Sequence, residues 1–163
     1  MSRKDLLIAP VLEGLLILIV ALVGWIARQP LVFASLGPTA FEMIETPKRP
    51  SARPYNVIVG NAIAILAAFG ALLLTHAWEV PSVSSRGVPL PRVWAAVLAA
   101  ALTVLGTLLL RATQPAALST ALLIALGILQ TWRDGVIIIA AVLIMAVAGE
   151  PLRRWRAKNT SER

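Results

Sequence analysis

Cysteine is absent from the 163 residues, and histidine occurs once, as His76. Without a thiol there is no disulfide, no thiolate metal site and no thiol redox chemistry, and a single imidazole argues against a histidine metal site. Charge is scarce too: 14% of the residues are charged, where a soluble domain carries about 25%. The sequence shows no glycine-rich nucleotide loop, no nucleophile paired with a base and no metal-ligand cluster. Its nearest approach to a carboxylate pair is Glu42 with Glu45, three apart on a helix face, and a solvated helix end explains that spacing more simply. The expectation is therefore a protein that is not an enzyme and has no cofactor. The cations, although they outnumber the acids to give a net charge of +7, lie in loops and at the tail, so nucleic acid is not an expected partner.

What is present is apolar sequence. With 58% apolar residues and a mean hydropathy of +0.82, the chain is built for lipid. Several apolar runs near 18 residues long, almost free of charge, match a hydrocarbon core about 30 Å thick. The predicted class is an all-α, polytopic helical membrane protein, with 1–163 forming one membrane domain.

One stretch organises the rest. Phe33 to Asn61 reads FASLGPTAFEMIETPKRPSARPYNVIVGN, apolar but broken by Gly37-Pro38, with three prolines and three cations between Thr46 and Pro54. Before it, Ser2 and Asp5 can cap a helix whose apolar body runs from Leu6 to Ala27, about 33 Å of helix. That run is too long for a cleavable signal peptide, and no small-residue cleavage site follows it. Glu13 lies inside it, costly in lipid unless paired, protonated or hydrated. Leu31 to Ile44 is only 14 residues, about 21 Å, too short for a straight span. Pro38 suits the first position of a new helix, with Gly37 or Ser35 capping it inside the membrane. Tyr55 to Trp78 is a second full span with small residues for close packing, and Asn56 and Asn61 fall near its start.

Glu79 to Pro91 is a turn-rich link. A third span, Val93 to Leu110, precedes a second short run of 14 residues, Ala116 to Leu129, and then a last segment, Val136 to Ala148, with a basic tail after Pro151. The halves repeat a pattern, full span, short segment near a Gln-Pro pair, further span, with Gln29-Pro30 and Gln114-Pro115 as markers. The expected division is 1–78, a link at 79–91, 92–152, and a cytoplasmic tail at 153–163. Short segments at matching places in two halves point to a transport site.

Charge counting compares two topologies. If the short segments cross, six crossings place Arg3, Lys4, Lys48, Arg49, Arg53, Arg111, Arg153, Arg154, Arg156, Lys158 and Arg163 inside, 11 cations against 4. If they re-enter, four crossings leave 9 against 6. Six crossings, a weak 3+3 inverted repeat with both termini cytoplasmic, obey the positive-inside bias better; four spans with two re-entrant helices are the alternative. Trp25, Trp78, Trp94, Trp132 and Trp155 fall at segment ends and suit interfacial belts either way.

The stretch SLGPTAF, then SARPYNVIVGN, a span, a link ending in PRV, and RATQPAALSTALLIALG together resemble the HPP family of small integral membrane proteins. The family's His-Pro-Pro motif is replaced here by Gln114-Pro115-Ala116, with Ser119 and Thr120 following, and its Gly-His by Gly60-Asn61. The resemblance implies transport, with nitrite uptake assigned to some members and no substrate to most. Losing both motif histidines leaves Glu13, Glu42 or His76 for any proton coupling.

A mechanism follows from the residues. A helix beginning inside the membrane at Pro38 or Pro115 turns its positive end toward a cavity and favours a small anion. Ser35, Thr39, Ser119 and Thr120 offer hydroxyls, Gly37 leaves backbone accessible, Asn56, Asn61 and Gln114 offer amides, and Arg53 raises the potential at one mouth. Each also has a packing explanation: a proline kink, hydroxyls bonded to their own backbone, or asparagines joining helices. The leading expectation is a small-anion transporter or channel, nitrite-like in substrate, homo-oligomeric and in a bacterial plasma membrane. The alternative is a membrane-embedded accessory subunit without transport of its own.

Overall fold

A computed structural model describes residues 3–159. Ser2 and Arg163 lie outside the described residues, as does the side chain of Asp5. All regular structure in the described part is helical. In order come α1 (Arg3–Ala27), α2 (Leu36–Glu45), a short 3-10 turn (Pro50–Ala52), α3 (Pro54–Leu74), α4 (Val83–Arg86), α5 (Leu90–Leu109), α6 (Ala116–Ala125) and α7 (Trp132–Asn159).

Four of these, α1, α3, α5 and α7, are long and apolar enough to cross a membrane. The two short helices, of 10 residues each, reach only about 15 Å. Contacts nevertheless carry their segments from one end of the bundle to the other. Gln29, just after α1, accepts from Arg133 at the start of α7 (3.1 Å), while Pro47 and Ile44, at the end of α2, accept from Arg153 (2.7 Å) and Arg156 (3.1 Å) near the end of α7. Residues 29–47 therefore run the length of α7 between Arg133 and Arg153, about 30 Å. The second short segment does the same. It starts beside Asn56, whose amide donates to the Thr113 carbonyl, and finishes at Ala125 and Gln130, both bound by Arg92 at the start of α5.

The chain thus passes six times along the bundle, four times in helices long enough to span a membrane and twice in segments that are part short helix and part coil, as the six-segment reading expects. The packing partners repeat in the same sense. α1 packs on α2 and α7, and α5 packs on α6 and α3; α2 packs on α7, and α6 packs on α3. Exchanging the halves maps every one of these pairs onto another and maps the α3–α7 and α2–α6 contacts onto themselves. Because α1 and α5 run in opposite directions, the relation is an inverted repeat.

α3 and α7 form the centre and pack on each other, and Val57, Ala64, Ala68 and Leu72 of α3 belong to the same buried cluster as Ile138, Ala141, Val142 and Met145 of α7. α1 and α5 lie outside and expose Leu18, Leu22, Val97 and Leu105, as lipid-facing helices do. Trp25, Trp94, Trp132 and Trp155 are exposed at the ends, and Trp132 closes a ring cluster with Phe69 (4.3 Å) and Trp78 (5.8 Å).

Several boundaries differ from the sequence reading, three of them at carboxyl ends. The second span stops at Leu74 rather than Trp78, because His76 turns into the left-handed region (φ 52°) and Ala77 closes the turn by donating to the Leu72 carbonyl. The second short run ends at Ala125, and Gly127 (φ 82°) makes the turn. No break follows Ala148: α7 continues through Pro151 to Asn159, so Arg153, Arg154, Arg156 and Lys158 lie in its last turns. Arg153 and Arg156 dock those turns on the end of α2, which is a tertiary reason invisible to local propensity.

Candidate functional site

α2 begins two residues before Pro38, at Leu36. Proline is tolerated there because first-turn amides have no partner inside the helix. Ser35 occupies the capping position, yet its side chain makes no capping bond. It reaches across the molecule instead. Thr120 Oγ1 lies 2.7 Å from Ser35 Oγ and 2.6 Å from Asn61 Oδ1. The threonine has one proton and the amide oxygen only accepts, so Thr120 donates to Asn61 and the Ser35 hydroxyl supplies the other bond. Asn61 Nδ2 donates in turn to the Val57 carbonyl (2.8 Å), and Thr39 donates to the Ser35 carbonyl (2.9 Å). Ser35, Thr39, Asn61 and Thr120 are each at most 1% exposed. The chain of bonds joins α2, α3 and α6, and so the two halves.

Toward the other end of α2, a second polar group is built differently. Glu42 Oε1 accepts from Ser51 (3.2 Å), and the Gln114 side chain stands beside the carboxylate as its nearest amide, close enough to act on it but not aligned on it in a formed hydrogen bond. Neither the second carboxylate oxygen of Glu42 nor either amide atom of Gln114 reaches hydrogen-bond geometry with any partner. Gln114 is only 3% exposed. Gly60 of α3 presses on it, since a Cβ at that position would stand 2.7 Å from Gln114 Cβ and 3.1 Å from the Ala112 carbonyl oxygen. Glycine is required there for close approach.

The two short helices lie head to tail, with the start of α2 at Ser35 beside Thr120 in the middle of α6 and the start of α6 at Gln114 beside Glu42, while their carboxyl ends point to opposite faces. Each carboxyl end carries a buried arginine. Arg156 donates to the Ile44 carbonyl and pairs with Glu45 (3.5 Å); Arg92, fully buried, donates to the carbonyls of Ala125 and Val80 and to Gln130. A cation at a helix carboxyl end offsets the negative end of the dipole, so α6 holds Arg92 without a carboxylate. A Cβ at Gly127 would come 2.6 Å from the Arg92 guanidinium.

Not every predicted residue joins this centre. Ser119 is half-buried and outside the hydrogen-bonded chain, one position and so about 100° around α6 from Thr120. Gly37 is half-buried with open space beside it, Pro38 and Pro115 are exposed, and α6 starts after Pro115, at Ala116. Arg53 is exposed at the start of α3, where its backbone forms the cap. The Asn56 amide ties α3 to Thr113 (3.0 Å), a packing bond between helices. Glu13 is half-buried on α1 and faces Glu45 rather than Glu42. Sequence reasoning missed Arg92 and Arg156 as helix caps; an arginine directly after Pro91, at the head of an apolar helix, was the available signal for the first.

A family model described as "HPP, transmembrane region" matches residues 1–156. No curated protein and no solved structure matches the chain.

Proposed function

Since the chain belongs to the HPP transmembrane family and is an integral membrane protein, we propose that it moves a small anion of nitrite's size across the membrane, between α2 and the start of α6. The observation that carries this reading is the Gln114 amide, buried at the start of α6 beside Glu42 with neither of its polar atoms in hydrogen-bond geometry. Helix amino ends favour negative charge, and an amide N–H with nothing to bond is a donor held ready for it. An inverted repeat with short helices at matching positions supports transport as the class. The end that holds Lys48, Arg49, Arg53, Arg111, Arg154 and Lys158 as exposed cations fits the cytoplasmic side, with both termini there, and the exposed faces of α1 and α5 are where a second copy or lipid would pack. No catalytic role is part of this reading.

One observation favours a second reading. Ser35, Thr120 and Asn61 satisfy one another, as residues do when their task is to hold helices together, and a membrane-embedded accessory subunit needs no more. Reconstitution into liposomes separates the two. Under the transport reading, native protein passes nitrite or another small anion selectively, and Gln114→Leu loses that flux while remaining folded. No flux from folded native protein supports the accessory reading, and equal flux for the native chain and the variant takes Gln114 out of the path.

A further inference from the structure

The geometry points to Glu42 as a proton-binding site, with the Gln114 amide as the partner that reads whether the proton is there. Three buried polar atoms without partners, Glu42 Oε2 and the oxygen and nitrogen of the Gln114 amide, lie in the same gap between α2 and the start of α6. Hydrogen-bond arithmetic shows what they lack. An ionised carboxylate only accepts, so it bonds the amide N–H and leaves the amide oxygen bare; a protonated one donates to the amide oxygen. A carboxamide presents either face after a half-turn, so one side chain completes both states of the carboxyl group. Buried polar atoms that remain unpaired are rare enough in folded proteins to call for such an explanation.

The packing holds the root of the Gln114 side chain in place. α3 closes on it at Gly60, where even a methyl group would collide with its Cβ. The amide end is left to turn. The charges around the site leave the carboxyl group free to change state. From the 46–53 link, Arg49 is within electrostatic reach but exposed, and Ser51 holds the other oxygen. On α2 itself, Glu45 is engaged by Arg156 of α7, and Glu13 of α1 faces Glu45. Arg153 of α7 is held by Glu150 and the Pro47 carbonyl. α3 and α6 bring only the amides and hydroxyls already described. The step itself is balanced: water at the cationic end supplies a proton, the carboxylate becomes a carboxylic acid, and nothing is oxidised or reduced.

Its consequence for transport rests on the anion reading. If Gln114 turns its oxygen to a protonated Glu42, its N–H faces away from the carboxyl group and is free for an anion at the start of α6, so proton and anion bind together and cross as a neutral pair.

The test does not depend on transport. Infrared difference spectra of the purified full chain in lipid, between acid and alkaline buffer, are expected to show a protonated carboxyl band that vanishes on alkalisation. The band should be lost in Glu42→Gln, kept in Glu42→Asp, and shifted to higher frequency in Gln114→Leu, where the acid has lost its acceptor. A native difference spectrum in which the same band persists in Glu42→Gln, or in which no carboxyl band titrates, overturns the site; a band unmoved in Gln114→Leu overturns the role of Gln114. If the band behaves as expected while folded native protein passes no anion, the proton site stands and the anion reading falls.

Discussion

Two polar groups sit between the same pair of short helices, and they are solved in opposite ways. The Ser35–Thr120–Asn61 group bonds internally, spans three helices and exposes almost nothing. The Glu42–Gln114 group is held at one oxygen only, by Ser51, and leaves three polar atoms unpaired. A closed set of hydrogen bonds fixes a structure, since opening it strands several groups at once. An open set waits for a ligand, a proton or a rotation. The first group ties the two halves together, and the second is the part that we propose responds.

Substitutions can break or sharpen that contrast. Thr120→Val should do the most damage: it removes the middle of the chain and strands Ser35 and Asn61 together, so we expect a loss of about 2 kcal/mol or more, above the ~0.6 kcal/mol average for one bond between membrane helices. Unfolding of the purified protein in detergent by a denaturant series reads this, and an unchanged midpoint would dissolve the distinction between the two groups. Gly60→Ala comes next. Its added methyl meets Gln114 Cβ at 2.7 Å and a backbone carbonyl oxygen at 3.1 Å, so a destabilisation of about 1–3 kcal/mol is expected, together with altered flux because Gln114 is pushed.

Gln114→Leu should move stability the other way. Replacing unpaired buried polar atoms with apolar ones of similar reach is expected to leave the protein as stable or about 1 kcal/mol more stable, while flux is lost. A loss of stability matching that of Thr120→Val would mean that Gln114 belongs to the first group. Ser119→Ala is the smallest change, on the same helix but outside both groups. It should stay within about 0.5 kcal/mol of the native chain and leave flux intact.

Much of the fold was legible because lipid imposes a simple rule. Long uncharged runs had to be helices, and α1, α3, α5 and α7 fall where such runs stand. Pro38 was a poorer guide: the sequence pointed to a helix starting at it, but α2 starts at Leu36, since a first-turn proline costs no hydrogen bond wherever in that turn it stands. Ser35 and Thr120 were both singled out as hydroxyls near helix starts, yet their meeting could not be read, because residues 85 apart in sequence touch only after the halves pack. Ser119 and Thr120 looked equivalent as letters. A turn of about 100° between neighbours on a helix separates them, one into the buried chain and the other out of it.

The arginines make the same point at larger scale. Charge counting treated Arg92 and Arg156 as markers of sidedness, whereas both are buried and bind the carboxyl ends of short helices. Counting cannot tell a cation in water from a cation on helix carbonyls.

By itself, the sequence determined the solvent, the helical class, the long spans and the repeat of a short segment in each half, because these follow from composition and period along the chain. Only the tertiary structure decided that the short segments pass from end to end, that Ser35, Asn61 and Thr120 close on one another, and that Glu42 and Gln114 do not close at all. Hydrogen-bond satisfaction is a property of groups brought together from distant parts of the chain, and no local pattern states which of them will find a partner.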